Sequence, residues 1–277
     1  MKLAIVGDIH GFWTDFDTDY FNQSDYDALL LTGDLRAYRV RSETETLKKL
    51  NGLQIPTYLC PGNWDSTHFM QMVGEIFQNQ TLILRFGRSH PRRFLEWKKN
   101  LASVQVGGYS LHPLVDRKTG KTCSLLIGRP FSCGGPLGFR PSLEALFGVS
   151  SLEDSVNLYK SLIQTAESDD LIFLTHNGPT GLGDRATDIY GCDYRKSEGD
   201  WGDRDLEEAI RYAQSLGKQV HLVVSGHMHH QNKKTKSVRK WLVESENITY
   251  LNAAKVPRIR RSGERVYHSH FSAEIHF

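Results

Sequence analysis

The chain has 277 residues, 39% of them hydrophobic and 24% charged, with a formal net charge of +2. That length can bury a sizeable core, and the near-neutral balance excludes any global field demanding nucleic acid or an anionic membrane as partner. Cys60, Cys123, Cys133 and Cys192 form no CxxC or CxxxC pair, so they read as scattered reduced thiols rather than a disulfide framework.

In chain order, short apolar runs end in polar residues. Leu3–Val6 precedes Gly7-Asp8, Ala28–Leu31 precedes Thr32-Gly33-Asp34, and Thr57–Cys60 precedes Pro61-Gly62-Asn63. Leu171–Leu174 precedes Thr175-His176, and Val220–Val224 precedes Ser225-Gly226-His227. Runs of this kind predict buried strands. Each delivers a metal-type side chain just past its carboxyl end, where open α/β sheets gather their sites.

Helices are expected between them. Ser42 and Glu45 form a capping box that opens a helix through about Leu50. Arg92, Arg93, Lys98 and Lys99 flank Phe94 and Trp97 at helical spacing, as in an amphipathic surface helix. Ser151–Ala166 has helical periodicity, and Asp205 with Glu208 is a capping pair before a helix that Gly217 would end. The stretches 104–135 and 240–277 read as further sheet, with His268, His270 and His276 alternating on a C-terminal strand. No repeat or linker divides the chain, so 1–277 reads as one domain. The irregular segment at about 178–204, which holds Arg185, is a candidate active-site lid. No apolar run reaches the ~18–20 residues of a membrane span, and the N-terminus lacks the pattern of a signal peptide. A cytoplasmic protein is expected.

Asp8-Ile9-His10 puts two ligand-type side chains at i and i+2, which in extended chain share one side. His227-Met228-His229 repeats the spacing, with Asp34, Asn63, Asp65 and His176 between. Carboxylate, imidazole and amide oxygen suit Mn²⁺, Fe or Zn²⁺, and no thiolate set is present for a soft metal.

The order DxH, GD, GN-x-D, H and GHxH, from Asp8 to His229, resembles the calcineurin-like metallophosphoesterase superfamily. The resemblance implies an α/β fold, a four-layer α/β/β/α sandwich of two mixed sheets flanked by helices. It implies two divalent metal ions, Mn²⁺ first, with Fe or Zn²⁺ as alternatives. Asp8, His10, Asp34 and His229 would hold one; Asp34, Asn63, His176 and His227 would hold the other, with Asp34 bridging. A hydroxide bridging ions about 3.5–4 Å apart would attack the phosphoryl group. Asp34, Asn63, His176 and Asp65 would then form the catalytic set, Asp65 by orienting a ligand.

Many members of that superfamily carry His where this chain has Trp64, and that His assists departure of the leaving group. Relatives with Cys, Phe or Arg there tend to be phosphodiesterases, lipid-precursor pyrophosphatases or non-catalytic scaffolds. A small phosphorylated substrate is therefore expected, nucleotide-like or an activated phosphodiester, with nucleic acid disfavoured as partner. A nucleotide-linked lipid pyrophosphohydrolase would need an apolar surface, and no apolar insertion is evident in the sequence. A scaffold that has lost the chemistry is a further alternative. Lys233, Lys234, Lys236 and Arg239 leave the site directly and could form an anion-attracting rim, with His230, Arg185, Lys233 and Lys234 as the substrate-binding candidates. Arg258, Arg260 and Arg261 form a second basic cluster, farther from the motif.

Overall fold

The computed structural model describes residues 1–36, 41–193, 197–232 and 235–277. The first half of the chain runs β1 (Lys2–Val6), α1 (Asp15–Asn22), β2 (Ala28–Leu31), α2 (Arg41–Leu50), β3 (Thr57–Leu59), α3 (Phe69–Phe77), α4 (Gln80–Gly87), α5 (His90–Lys99), β4 (Gln105–Val106), β5 (Ser110–Val115) and β6 (Thr122–Ile127). The second half runs α6 (Arg140–Phe147), α7 (Leu152–Thr165), β7 (Asp170–Leu174), α8 (Arg204–Ser215), β8 (Gln219–Ser225), β9 (Leu242–Ser245), β10 (Ile248–Asn252), β11 (Ile259–Ser262), β12 (Arg265–His268) and β13 (Phe271–Glu274).

Two mixed sheets carry the fold, in the orders β13-β1-β2-β3-β4 and β5-β6-β7-β8-β10-β9. Within the first, β1 to β4 are parallel and β13 is an antiparallel edge. Within the second, β6, β7, β8 and β10 are parallel between antiparallel edges β5 and β9. The alternation along each strand explains the layering. Leu3, Ile5 and Leu30 of one sheet share a core with Leu125, Ile127, Ile172, Leu174, Leu222 and Val224 of the other. Their neighbours Ala4, Val6, Leu29 and Leu31 face outward onto Phe21 of α1, Leu47 of α2 and Trp97 of α5. Leu126, Phe173 and Val223 belong to the same outward-facing core, with Tyr159 of α7 and Leu206 of α8. Parallel strands covered on both faces read as continuous apolar runs, which is why these were visible in the sequence. The four-layer α/β/β/α arrangement follows.

Several local expectations are corrected. Helix α8 starts at Arg204 with Asp203 as its N-cap, so Asp205 is no cap. Arg129 takes both acids instead, 2.8 Å from Asp203 and 2.9 Å from Asp205. His268, His270 and His276 share no strand: β12 ends at His268 and β13 spans Phe271–Glu274. His268 bonds Asp17 and His270 bonds Tyr26. The Ser42 side chain lies outside the described residues, so its capping box is not described, although α2 covers the expected span. Among the described residues no helix is long and apolar enough to cross a membrane.

Candidate metal centre

β1, β2, β3, β7 and β8 stop two to four residues before Asp8, Asp34, Asn63, His176 and His227. The chain turns sharply there. Asp8, His10, Asp34 and His227 all have positive φ, of 44°, 43°, 52° and 62°. Left-handed backbone at non-glycine residues is disfavoured and concentrates at functional sites. It also corrects the extended-chain geometry expected for the DxH and HxH pairs, since the side chains converge through left-handed turns. Two glycines allow the close approach. A Cβ at Gly226 would collide with Asp8 Oδ1 and Thr32, and one at Gly62 with Asp34 and His176.

Asp8, His10 and His229 form one donor set, with their ligand atoms within 4.8 Å of one another. Nε2 of His10 lies 3.2 Å from Nε2 of His229, which lies 3.2 Å from Asp8 Oδ2. Donors 2.0–2.2 Å from a shared cation stand roughly 3 Å apart, so this spacing suits one. Asn63, His176 and His227 form the other set. Asn63 Oδ1 is 2.7 Å from His176 Nε2 and 2.9 Å from His227 Nδ1. Asp34 stands between them, Oδ2 3.7 Å from His10 Nε2 and Oδ1 3.7 Å from His176 Nε2.

The protons on these groups favour a cation. His176 Nδ1 sits 2.6 Å from the Thr32 carbonyl and His10 Nδ1 3.1 Å from the Arg36 carbonyl. A carbonyl only accepts, so each neutral ring carries its proton on Nδ1 and turns a bare Nε2 inward. In His176 that lone pair faces another acceptor, the Asn63 oxygen. Asp8 Oδ2 is buried, with His229 Nε2 beside it at 3.2 Å. Burial pushes His10 down to about 4, so its lone pair is available near neutral pH. Burial, then the charge of Asp8, holds Asp34 well above the usual carboxylate range. Burial also raises Asp8, but His229, His176 and His10 outweigh it and hold that carboxyl low. Imidazole lone pairs and carboxylate oxygens gathered in one buried space suit divalent cations, whose charge would reverse the strain on Asp34.

Asp65, buried like the donors, touches backbone instead. Its Oδ2 accepts from Asp34 N at 2.9 Å and Gly62 N at 2.8 Å, and its Oδ1 from Leu35 N at 2.8 Å. It binds the Asp34 turn to the Asn63 turn, and burial together with Asp34 pushes it up to about 8. The Trp64 backbone N–H donates to Asp34 Oδ1 at 2.9 Å, and the half-buried side chain joins the wall of a cavity beside the centre.

The substrate-binding candidates fare differently. Lys233 and Lys234 lie outside the described residues. Arg185 is exposed and, like His230, is not among the residues lining that cavity. His230 gives Nε2 to the Asn252 carbonyl at 2.7 Å and stacks on Trp241. Arg239 is no rim charge: it is buried and bonds the carbonyls of His229, Asp188 and Gly191. Arg258 is also buried, paired with Asp17 at 2.8 Å, while Arg260 and Arg261 are exposed on β11.

The sequence reading missed α3 and α4, and with them the apolar wall it found lacking. The cavity is about 480 Å³, and Met72, Ile76, Phe77 and Ile83 from this helical pair line it along with Asp34, Asn63, His227 and His229. A signal existed in Phe69–Phe77, which is apolar at most positions.

The sequence profile for calcineurin-like phosphoesterases (Metallophos) matches residues 1–231. Comparison with curated protein sequences finds no match. Among solved structures, the chain is similar to the anchor in the inner membrane complex of Plasmodium, at 10% identity and TM-score 0.48, covering 96% of this chain and 76% of that one. It is similar to a candidate 5'-nucleotidase from Staphylococcus aureus in complex with alpha-ketoglutarate, at 10% identity and TM-score 0.49, covering 93% and 49%. It is also similar to a dimetal phosphatase from Danio rerio, at 9% identity and TM-score 0.46, covering 92% and 88%. At such values no argument about activity passes from those proteins to this one. The profile spans most of the chain and every turn that carries a donor, and on that match the chain belongs to the calcineurin-like phosphoesterases, a family of metal-dependent phosphoester hydrolases.

Proposed function

We propose that the chain hydrolyses a phosphodiester or another activated phosphate bond, using two divalent cations held by seven side chains. Asp8, His10, Asp34 and His229 would hold one cation, and Asp34, Asn63, His176 and His227 the other. The observation that carries this reading is the Asp34 carboxylate, each oxygen 3.7 Å from an imidazole of a different donor set. Mn²⁺ heads the metals such a set takes, with Fe and Zn²⁺ next. When bound, a metal pair activates water near neutral pH and stabilises charge on the phosphoryl oxygens.

The chain's own residues supply the frame. Thr32 and Arg36 fix two imidazole tautomers through their carbonyls. Asp65 ties two donor turns together through backbone N–H groups. Trp64 brings no group able to protonate a departing alkoxide, which favours good leaving groups. A small substrate suits the cavity, either nucleotide-like or an activated phosphodiester. We take 1–277 as one unit, with 178–204 as a lid segment beside the centre whose described residues are anchored to the fold. Tyr190 bonds Ser225, Asp203 pairs with Arg129, and Trp201 and Asp193 line the cavity.

The test is a hydrolysis screen of Mn²⁺-loaded protein with metal analysis. Bis(p-nitrophenyl) phosphate should be cleaved faster than p-nitrophenyl phosphate, by protein holding two ions per chain. Full activity with one ion or none would overturn the two-cation reading.

A further inference from the structure

Resting on that hydrolase reading for its phosphate half, we infer that the cavity wall built by α3 and α4 is a subsite for an apolar substituent of the substrate, an alkyl chain or unsubstituted aryl ring. The cavity is continuous with the donor sets, since Asp34, Asn63, His227 and His229 line it together with Met72, Ile76, Phe77 and Ile83. A phosphoryl group at the centre therefore has its esterified substituent beside these side chains. Its volume of about 480 Å³ falls within the ~300–1,000 Å³ of small-molecule sites.

Two features separate this wall from an ordinary core face. Ile76 and Phe77 are 44% and 76% exposed, so they are large apolar groups left with little to cover them inside the chain. Helix α3 is also fastened to the centre, because the Asn63 amide contacts Met72 Sδ at 3.4 Å. Glu75, three residues further along α3, lines the same cavity. Its Oε2 accepts the Phe139 N–H at 3.0 Å, while its buried Oε1 has no hydrogen-bond partner. Burial pushes this carboxyl up to about 7, as expected beside a poorly solvated space. Arg140 and Asp193 are the other charged side chains in the wall away from the donor sets. A sugar or nucleoside would leave hydroxyls against Met72, Ile76 and Ile83, whereas an alkyl chain gives up no hydrogen bond there.

The experiment measures binding of methyl, butyl and octyl phosphate, and of a nucleoside monophosphate, to the Mn²⁺-loaded full chain by calorimetry. Burial of each methylene should tighten binding about two- to fourfold. Octyl phosphate, with seven more methylenes, should therefore bind about 10²- to 10⁴-fold tighter than methyl phosphate and outcompete the nucleotide. In the double variant Ile76→Ser, Phe77→Ser, whose sites are exposed enough for the fold to tolerate, the loss should grow with chain length. Affinity flat across the series, a tighter nucleotide, or the same chain-length gain in the variant would each overturn the subsite. The hydrolase reading is judged separately by turnover of methyl p-nitrophenyl phosphate. Chain-length-dependent binding without turnover would remove the hydrolase and keep the subsite, while turnover with a flat series would do the reverse.

Discussion

Asp65 Oδ2 accepts the backbone N–H of Asp34 at 2.9 Å, joining two turns that are 31 residues apart in the chain. The same carboxylate takes the N–H groups of Gly62 and Leu35. Both oxygens of Asp65 accept, so all three converging donors are satisfied. Asp65→Asn must turn an NH₂ toward one of them, shifting the Asp34 or Asn63 turn. Loss of a group that orients metal ligands typically weakens metal binding 10–100-fold. Mn²⁺ titration of the variant should show a loss of about that size, and unchanged affinity would make Asp65 a folding element alone.

Asp34→Asn tests the bridging carboxylate with little risk to the fold. Asp34 has φ of 52°, and Asn is among the side chains that accept left-handed backbone. The variant keeps the shape and loses the charge shared by two cations. Metal content should fall to one ion per chain or less and activity should vanish, while the unfolding midpoint of metal-free protein stays close to wild type. Two tightly held ions in the variant would break the bridging assignment.

Arg239 distinguishes a buried clamp from a charged rim. It is 1% exposed and holds three carbonyls, with Asp193 at 3.4 Å from Nη2. Arg239→Ala strands these acceptors and one buried carboxylate, at a destabilisation of about 3–5 kcal/mol. Exposed Lys236→Ala should stay within about 0.5 kcal/mol. Denaturant unfolding of both variants decides. Near-equal stabilities would restore Arg239 to the surface.

These residues show where sequence reading stops. The parallel strands were legible because both faces are covered, which makes them continuous apolar runs bounded by Gly, Asp or Pro. Their ends led directly to Asp8, Asp34, Asn63, His176 and His227. The left-handed backbone at Asp8, His10, Asp34 and His227 was not legible, because none is glycine and tertiary contacts impose it. Arg239 and Arg258 looked like surface charge because their partners lie far along the chain. Asp188 and Gly191 are 51 and 48 residues from Arg239, and Asp17 is 241 from Arg258. Helix α3 escaped because its pattern is inverted: Gln71 is buried while Phe69, Ile76 and Phe77 are exposed.

Glu75 gives a pH test with a definite sign. Burial raises its folded value to about 7, whereas an unfolded Glu titrates near 4.3. Between those values the folded chain binds more protons than the unfolded one, so stability falls as pH rises. The contribution is complete below about pH 4 and is lost as pH passes through 7, with roughly 2–3 kcal/mol of it going between pH 5 and 8. Glu75→Gln keeps a neutral side chain throughout. Between pH 5 and 8 the wild type should lose that much stability relative to the variant. Parallel stability profiles for the two proteins would place the carboxyl in water.

Trp64 sets the last expectation. Its backbone N–H holds Asp34 Oδ1, and that bond survives any side-chain change, so Trp64→His can be read as a change of chemistry. The indole N–H is too weak an acid to protonate a departing alkoxide. Wild-type rates should therefore fall steeply as leaving-group pKa rises, and aryl phosphodiesters should outrun alkyl monoesters. General acid catalysis is worth about 10²–10⁴-fold, so an introduced imidazole should flatten the dependence and help the poorest leaving groups most. The smaller ring also loosens the cavity wall and lowers every rate together, which makes the slope against leaving-group pKa the useful observable. Single-turnover rates for a series of aryl and alkyl phosphodiesters measure it. A wild-type slope that is already shallow, with chemistry rate-limiting, would mean that another group delivers the proton. Glu75, a carboxyl titrating near 7 in the same cavity, would then be the first to replace, and the preference for activated diesters would lose its chemical basis.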